Sequence, residues 1–515
     1  MTVRGYLLGV DWDNNGDPAD SGDDVTSDVL DEPDIAVEWG RDTTQSGSQP
    51  VAGSLVFGLR NDLRRYSVNN AGSDLYGKVK PGRRVQLIQL DTPYAKLFDG
   101  VLDSFEDEPE ANAFNVNALD GWGRPGAEKL STPVYRGLRT GDAVHLILDE
   151  VGWTGDRIID PGATVMPWWW EEGTDAATAI EKLVDSEGPA AIAYVEGGTF
   201  VFEDRHHRAS NTASTTTNGL YTHIIPEGSG PGGDFKVLRD SFKYDDGLSR
   251  IVNAAVVAID ERRPTDRTVV WSTDATYTIG AGTTETIFAR TDEPFINAIT
   301  PQEGVDFSRD IGVYTLDLSR TSGQSVTITI VATSDTILRG MAFRASSVPV
   351  VRSFKTLILD QASIDEHGRH SWDRSMPWAN IYDARAIASR IVSTYATARP
   401  TVTFQIANLD AAYLNQIRSR RISDRITVRN DALGINSDFL IEKIKHVVRA
   451  KFLIHTVEFT CEVPPPAQPA TAFTFDVAGK GFDDGRFGLD GIDNMAEVLR
   501  FDVAGQGFND GQFGW

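Results

Sequence analysis

Cysteine is nearly absent: Cys461 stands alone among 515 residues. No intramolecular disulfide can form, and no thiolate-based metal site exists. Positive charge is also scarce, with 49 Lys and Arg against 74 Asp and Glu and a formal net charge of -25. That balance argues against a surface that binds nucleic acid by neutralising phosphates. Long apolar runs are missing too, and nothing approaches the ~18 residues that a membrane span needs. The opening segment, Met1 to Val10, is too short and too soon acidic for a secretory signal. The expectation is a soluble chain made in a cytoplasm, without a membrane span.

Signatures of catalysis are lacking as well. There is no nucleophile elbow of the Gly-x-Ser-x-Gly kind, no Walker phosphate loop and no His-Glu-x-x-His zinc motif. Gly228-Ser-Gly-Pro-Gly-Gly233 is formally a dinucleotide fingerprint, but neither the strand before it nor the helix after it is present. The eight histidines are scattered. His206 and His207 would point to opposite faces of a strand, His367 and His370 span a polar loop, and His455 lies on an apolar strand face. Among 74 acids no glycosidase pair can be chosen by spacing. The expectation is a protein that is not an enzyme and carries no cofactor.

What is present leans towards β structure. Hydrophobic residues make up 40% of the chain, enough for globular folding, and 47 glycines with many Thr and Val favour strands and turns. The length suggests about three or four domains. Ile35–Gly40, Leu55–Leu59 and Ala113–Leu119 read as strands, the last with Phe114, Val116 and Ala118 on one face. From Thr140 the period becomes helical, with Val144, Ile147, Leu148 and Val151 on one side and Gly152 as the stop. A second helix over about 175–186 buries Ile180, Leu183 and Val184, and a hairpin turns at Gly197-Gly198. A polar, Gly-rich connector follows. Ala384, Ile387, Ala388, Ile391, Val392 and Tyr395 mark a late helix, and strands are expected over 401–406, 422–428, 439–448 and 451–463.

Three features invite a functional reading. Asp11, Asp13, Asn15, Gly16 and Asp17 match the opening of an EF-hand-type calcium loop, but the closing position is Gly22 rather than Glu. A solvated hairpin tip is the preferred account, and Ca2+ at Asp11, Asp13, Asn15 and Asp17 stays open beside it. Trp168, Trp169 and Trp170 could form a sugar platform; burial against the following helix is preferred. The C-terminal tail holds a repeat, Phe475–Gly488 recurring as Phe501–Gly514 at an offset of 26 residues. Each copy sets an Asp-Gly turn between phenylalanines. Phe475, Phe482, Phe487, Phe501, Phe508, Phe513 and Trp515 are therefore expected to bind a partner, because left exposed they would be an aggregation hazard.

Several segments together resemble the tail hub proteins (baseplate hub or minor tail proteins) of long-tailed bacteriophages. The residues are Asn61-Asp62, Arg65-Tyr66-Ser67, Leu75-Tyr-Gly-Lys78, Pro81-Gly82 and Leu97-Phe-Asp-Gly100 with Asp103. Later come Phe200-Val-Phe-Glu203, Ser363-Ile364 with Gly368, Asp383-Ala384-Arg385 and Asp424-Arg-Ile-Thr-Val428. The resemblance spans roughly residues 1–463. It implies a mainly β fold with minor α: two tail-tube-like β-barrels flanking a small α+β domain; the Gly/Phe repeat tail, read from its own internal repeat, lies outside it. The implied boundaries are a first barrel over 1–125, the α+β domain over 126–211 and a Gly-rich linker over 212–239. A second barrel over 240–463, with strands inserted at about 268–345, precedes a Pro-rich spacer over 464–470 and the tail over 471–515. It further implies a homotrimeric structural ring at the tail tip of a virion, assembled in the host cytoplasm. The implied partners are the distal tail or tail tube protein, the tape measure protein and further tail-tip or fibre proteins. The competing reading is a phage- or bacterium-derived enzyme or binding protein acting on cell-envelope carbohydrate.

Overall fold

The structure is a computed structural model that describes residues 5–20, 22–41, 50–91, 94–123, 129–223, 234–320, 322–376, 378–449 and 451–465. It is mainly β with a minority of helix. One sheet of thirteen strands dominates. From its first edge it runs through Tyr6–Val10, Arg84–Gln89, Ala95–Glu108, Ala113–Asp120, Pro50–Arg60 and Ile35–Arg41. There it does not stop. Ile35–Arg41 pairs antiparallel with Ile435–Arg449, 400 residues further along the chain, from Ile35 opposite Val448 to Gly40 opposite Lys443. The long strand Ile435–Arg449 is the junction of the molecule. Its first part pairs Arg425–Asn430, its second part pairs Ile35–Arg41, and Ile454–Glu462 runs along its other side. Thr401–Ala407 and Lys243–Asp245 extend the sheet beyond Ile454–Glu462.

Alternation explains the strands. Phe114, Val116 and Ala118 are buried while Asn115 and Asn117 are only partly covered, as a sheet with one face on a core requires. The buried face forms one contiguous apolar cluster from Leu8, Phe57 and Phe114 to Ile444, Phe404 and Phe459, so both tube-like units share a core. Of the segments quoted for the hub resemblance, Asn61-Asp62 and Arg65-Tyr66-Ser67 make a corner, whereas Leu97–Gly100 and Phe200–Glu203 lie within strands. The Asn61 amide bridges Ser67 and Asp107 at 3.1 and 3.0 Å, and the Tyr66 hydroxyl donates to Asp28 at 2.6 Å. At Gly100 any side chain would meet the Leu119 carbonyl at 2.1 Å, so the neighbouring strand demands glycine.

Between the two halves of the sheet lies the α+β unit. Helices Thr140–Glu150 and Ala176–Glu187 pack on the hairpin Ile192–Glu196 and Thr199–Glu203. Asp175 caps the second helix by accepting the Thr178 N–H.

Two expectations need correction. The connector over 212–239 is not only a linker: Leu220–His223 is a strand lying parallel to Arg425–Asn430, and Phe235–Lys236 pairs with it in turn. A four-residue strand, Leu-Tyr-Thr-His, is too short to carry a readable period, and its place is fixed by the long-range partner. The second barrel likewise does not absorb all of 240–463. Ala254–Arg262, Val350–Leu359 and Ser371–Ser375 form their own three-stranded sheet beneath helix Ile381–Tyr395. All six apolar positions expected on that helix are buried. Between Arg262 and Val350 the inserted strands form two small sheets, with Phe295, Leu338 and Phe343 of one and Val326, Ile328 and Ile330 of the other in a shared core. Among the described residues no helix is long and apolar enough to cross a membrane.

Candidate functional site

The seam between Ile35–Arg41 and Ile435–Arg449 joins residues that two separate barrels would leave as open edges. Gly40 makes the approach possible. Its φ is +122°, and a Cβ there would lie 2.4 Å from the Glu442 carbonyl oxygen and 2.9 Å from the Lys443 Cα. On the polar face the Glu38 carboxylate sits between the Lys443 and Lys445 ammonium groups, at 3.3 and 3.8 Å. These half-exposed pairs fix register more than they stabilise. On the inner face Trp39 stacks on His446. His446 Nδ1 lies 2.9 Å from His455 Nε2, and His455 Nδ1 lies 2.8 Å from the Tyr6 hydroxyl. Burial pushes the His446 imidazole down to about 3, so it is neutral in the fold.

Below the seam, three units meet in a buried ionic cluster. Arg208, from the end of the α+β unit, holds Glu442 of the junction strand in a two-pronged pair at 2.5 and 2.8 Å. Arg41, the last residue of the seam strand, comes within 3.8 Å of the same carboxylate. Its guanidinium also donates to the carbonyls of Pro189 at 2.6 Å and Ala191 at 2.7 Å. Ser423 accepts from Arg208 Nε at 3.0 Å and donates to Glu203. Burial opposes the charge on Glu442, and Arg208 and then Arg41 more than offset it, leaving its pKa below the ordinary value. A charge triad of this kind costs desolvation and yields orientation. No reacting group is poised here. The arrangement is a clamp that sets one half of the sheet against the other.

Sequence reasoning missed this clamp. Its signal was there: Arg41 continues the inward series Val37, Trp39, and Glu442 interrupts the apolar run Phe439-Leu-Ile441. A charge at an inward-facing strand position calls for a buried partner.

The acidic loop between Val10 and Val25 folds back on its own strand. Pro18 lies so close to Gly9 that a Cβ there would touch its carbonyl oxygen. Of the four calcium candidates, Asp11 and Asp13 are brought together, and Asp23 joins them; their ligand oxygens lie within 4.8 Å of one another. Asn15 and Asp17 are engaged in the loop's own turns. The Asn15 amide donates to Asp20 at 2.8 Å, its Oδ1 accepts the Asp17 N–H at 2.8 Å, and Asp17 accepts the Ala19 N–H at 3.0 Å. The missed residue is Asp23, one position beyond the Gly22 at which an EF-hand loop would close. The acidic run Asp20-Ser-Gly-Asp-Asp24 was the signal for it.

No family model matches the chain, and no curated protein matches it. Among solved structures it is similar to a 43 kDa tail protein of a Shewanella oneidensis prophage, at 9% identity and TM-score 0.44, covering 88% of this chain and 97% of that one. A tail protein from Neisseria meningitidis is similar at 9% identity and TM-score 0.48, with 89% and 96% covered. A prophage tail protein from Listeria monocytogenes is similar at 10% identity and TM-score 0.42, with 90% and 95% covered. All three are described as tail proteins, two of them from prophages. The functional reading rests on this chain's own residues and geometry.

The tryptophan run is core. Trp168, Trp169 and Trp170 are 9%, 0% and 8% exposed. Trp169 packs near Tyr135, and Trp170 meets Trp378 edge-on while Arg262 covers its face. A cavity beside Trp168 is lined by Ile259, Phe354 and Tyr382 among others. Its polar groups serve the fold: Asp260 accepts from Ser353, and Asn380 caps the helix at Ile381. A stacked sugar therefore finds no exposed indole at this run. The partner-binding candidates Phe475, Phe482, Phe487, Phe501, Phe508, Phe513 and Trp515 lie outside the described residues.

Proposed function

We propose that the chain is a structural component of a phage tail tip: a hub ring of three copies that closes or extends the tail tube and anchors further tip proteins. The observation that carries this reading is the seam. It ties two strand-rich units of one chain side by side into a single sheet, with Gly40 and the Arg41–Glu442–Arg208 cluster fixing their angle. Three such chains present six units around an axis, which matches a threefold tip to a sixfold tube. Ring closure would pair strand edges that otherwise stay open, such as Lys243–Asp245, which pairs only with Thr401–Ala407 among the described residues. The net charge of -25 suits a conduit past which DNA slides without adhering. The partners in this reading are the tail tube or distal tail protein, the tape measure protein and tip or fibre proteins, with the Phe/Gly tail as a docking segment. The role is architectural rather than catalytic.

Sedimentation of the purified chain, alone and mixed with its tube protein, tests the proposal. A species of three chains, alone or seated on tube ends, is expected. A monomer under both conditions overturns it.

A further inference from the structure

We infer that the loop between Val10 and Val25 is a calcium-class cation site held by Asp11, Asp13 and Asp23. The deciding observation is Asp23. It is only 3% exposed, its Oδ1 accepts the Trp12 N–H at 3.1 Å, and its Oδ2 has no hydrogen-bond partner among the described residues. A carboxylate oxygen shut away from water without a donor is costly unless a cation or a proton meets it, and here two further carboxylates converge on the same place. Asp11, also 3% exposed, and Asp13 bring their oxygens to the same place. Among the described residues none of the three has a lysine or arginine within ion-pair distance; the guanidinium of Arg84 is engaged by Asp99 at 2.9 and 2.8 Å and by the Gly16 carbonyl at 2.9 Å.

The donor set selects the ion. Three carboxylates and no nitrogen or sulfur favour a hard cation. Ligand oxygens within 4.8 Å of one another can be spanned by a Ca2+ ion with ligands at about 2.3–2.6 Å, whose flexible coordination accepts irregular oxygen sets that the octahedral Mg2+ shell does not. The backbone is already curled for this. The two oxygens of Asp11 accept the N–H groups of Asn15 and Gly16, both at 2.9 Å, and Gly16 has a φ of +95°. Since Val10 and Asp11 are tied to Asp23 and Arg84 by backbone bonds, an ion here would brace the first edge strand of the sheet.

Trp12 is fully buried between two of the ligands, which makes it an internal antenna for a lanthanide. The full chain, stripped with a chelator, is titrated with Tb3+ under tryptophan excitation and then with Ca2+ in competition. One saturable site per chain, displaced by Ca2+ and accompanied by a rise in Tm, is expected. Asp13→Asn, at an exposed position that folding tolerates, weakens it by about tenfold or more, and Asp23→Asn does likewise. Asp17→Asn leaves it unchanged. Absence of a saturable signal in the wild type, or unaltered binding in Asp13→Asn, overturns the inference, as does equal loss in Asp17→Asn. The readout is independent of ring assembly, so the tail-tip reading stands or falls separately.

Discussion

The Trp39 indole lies against the His446 imidazole with ring centroids 5.0 Å apart and planes inclined by 23°. These two residues sit on strands separated by 400 residues of chain, and their contact is the apolar heart of the seam. Because His446 is held neutral, with its pKa lowered to about 3, the seam is sensitive to acid. The unfolded chain takes up a proton near the ordinary His value of about 6.5. The stabilisation is thus fully present above that pH and is lost as pH falls from there towards 3, at about 1.4 kcal/mol per unit. Unfolding free energies from urea titrations at neutral pH and near pH 5 should differ by about 2 kcal/mol more in the wild type than in His446→Phe. Equal acid sensitivity in both would show that His446 does not carry it.

Gly40→Ala should be among the most damaging of small substitutions. The added methyl group would overlap the Glu442 carbonyl, and the positive φ strains any L side chain. A loss of about 3 kcal/mol is expected from chemical denaturation. Gly77→Ala, where φ is +74° but nothing crowds the position, isolates the backbone strain and should cost about 1 kcal/mol.

Glu442→Gln removes the counter-charge that Arg208 and Arg41 share. About 3–5 kcal/mol of stability should be lost. The paired replacement Arg208→Met with Glu442→Leu should recover part of it, because that pair's desolvation cost disappears while Arg41 keeps its carbonyl acceptors at Pro189 and Ala191. Thermal melts of the four combinations give the coupling. Strict additivity would contradict the clamp.

Trp169→Ala removes a fully buried indole. It should destabilise the α+β unit by about 3–5 kcal/mol while leaving retention on glycan columns at the wild-type level. Loss of glycan retention in a variant that melts normally would revive the carbohydrate reading.

Much of this fold could be read in advance, because its signals are local. The alternation at Phe114, Val116 and Ala118 and the helical spacing from Ala384 to Tyr395 each state their own period. The turn residues at Gly197-Gly198 marked where one strand ends and the next begins. What stayed hidden was long-range. Nothing in Ile35–Arg41 announces pairing with Ile435–Arg449, and Leu220–His223 is a strand only because Arg425–Asn430 offers it an edge. Of the clamp, the charges were visible and their convergence was not. In the acidic loop, a fixed ligand spacing pointed to Asn15 and Asp17, whereas the chain curls tightly enough to bring Asp23 to Asp11 and Asp13 instead.

Electron microscopy of the purified full-length chain, bound to its tube if it does not assemble alone, tests the central claim most directly. Class averages down the axis should show threefold symmetry with six strand-rich lobes around an open lumen, two lobes joined tightly within each chain at the Gly40–Lys443 seam. Lobes of one chain that separate at that seam, or a particle without threefold symmetry, would contradict the account.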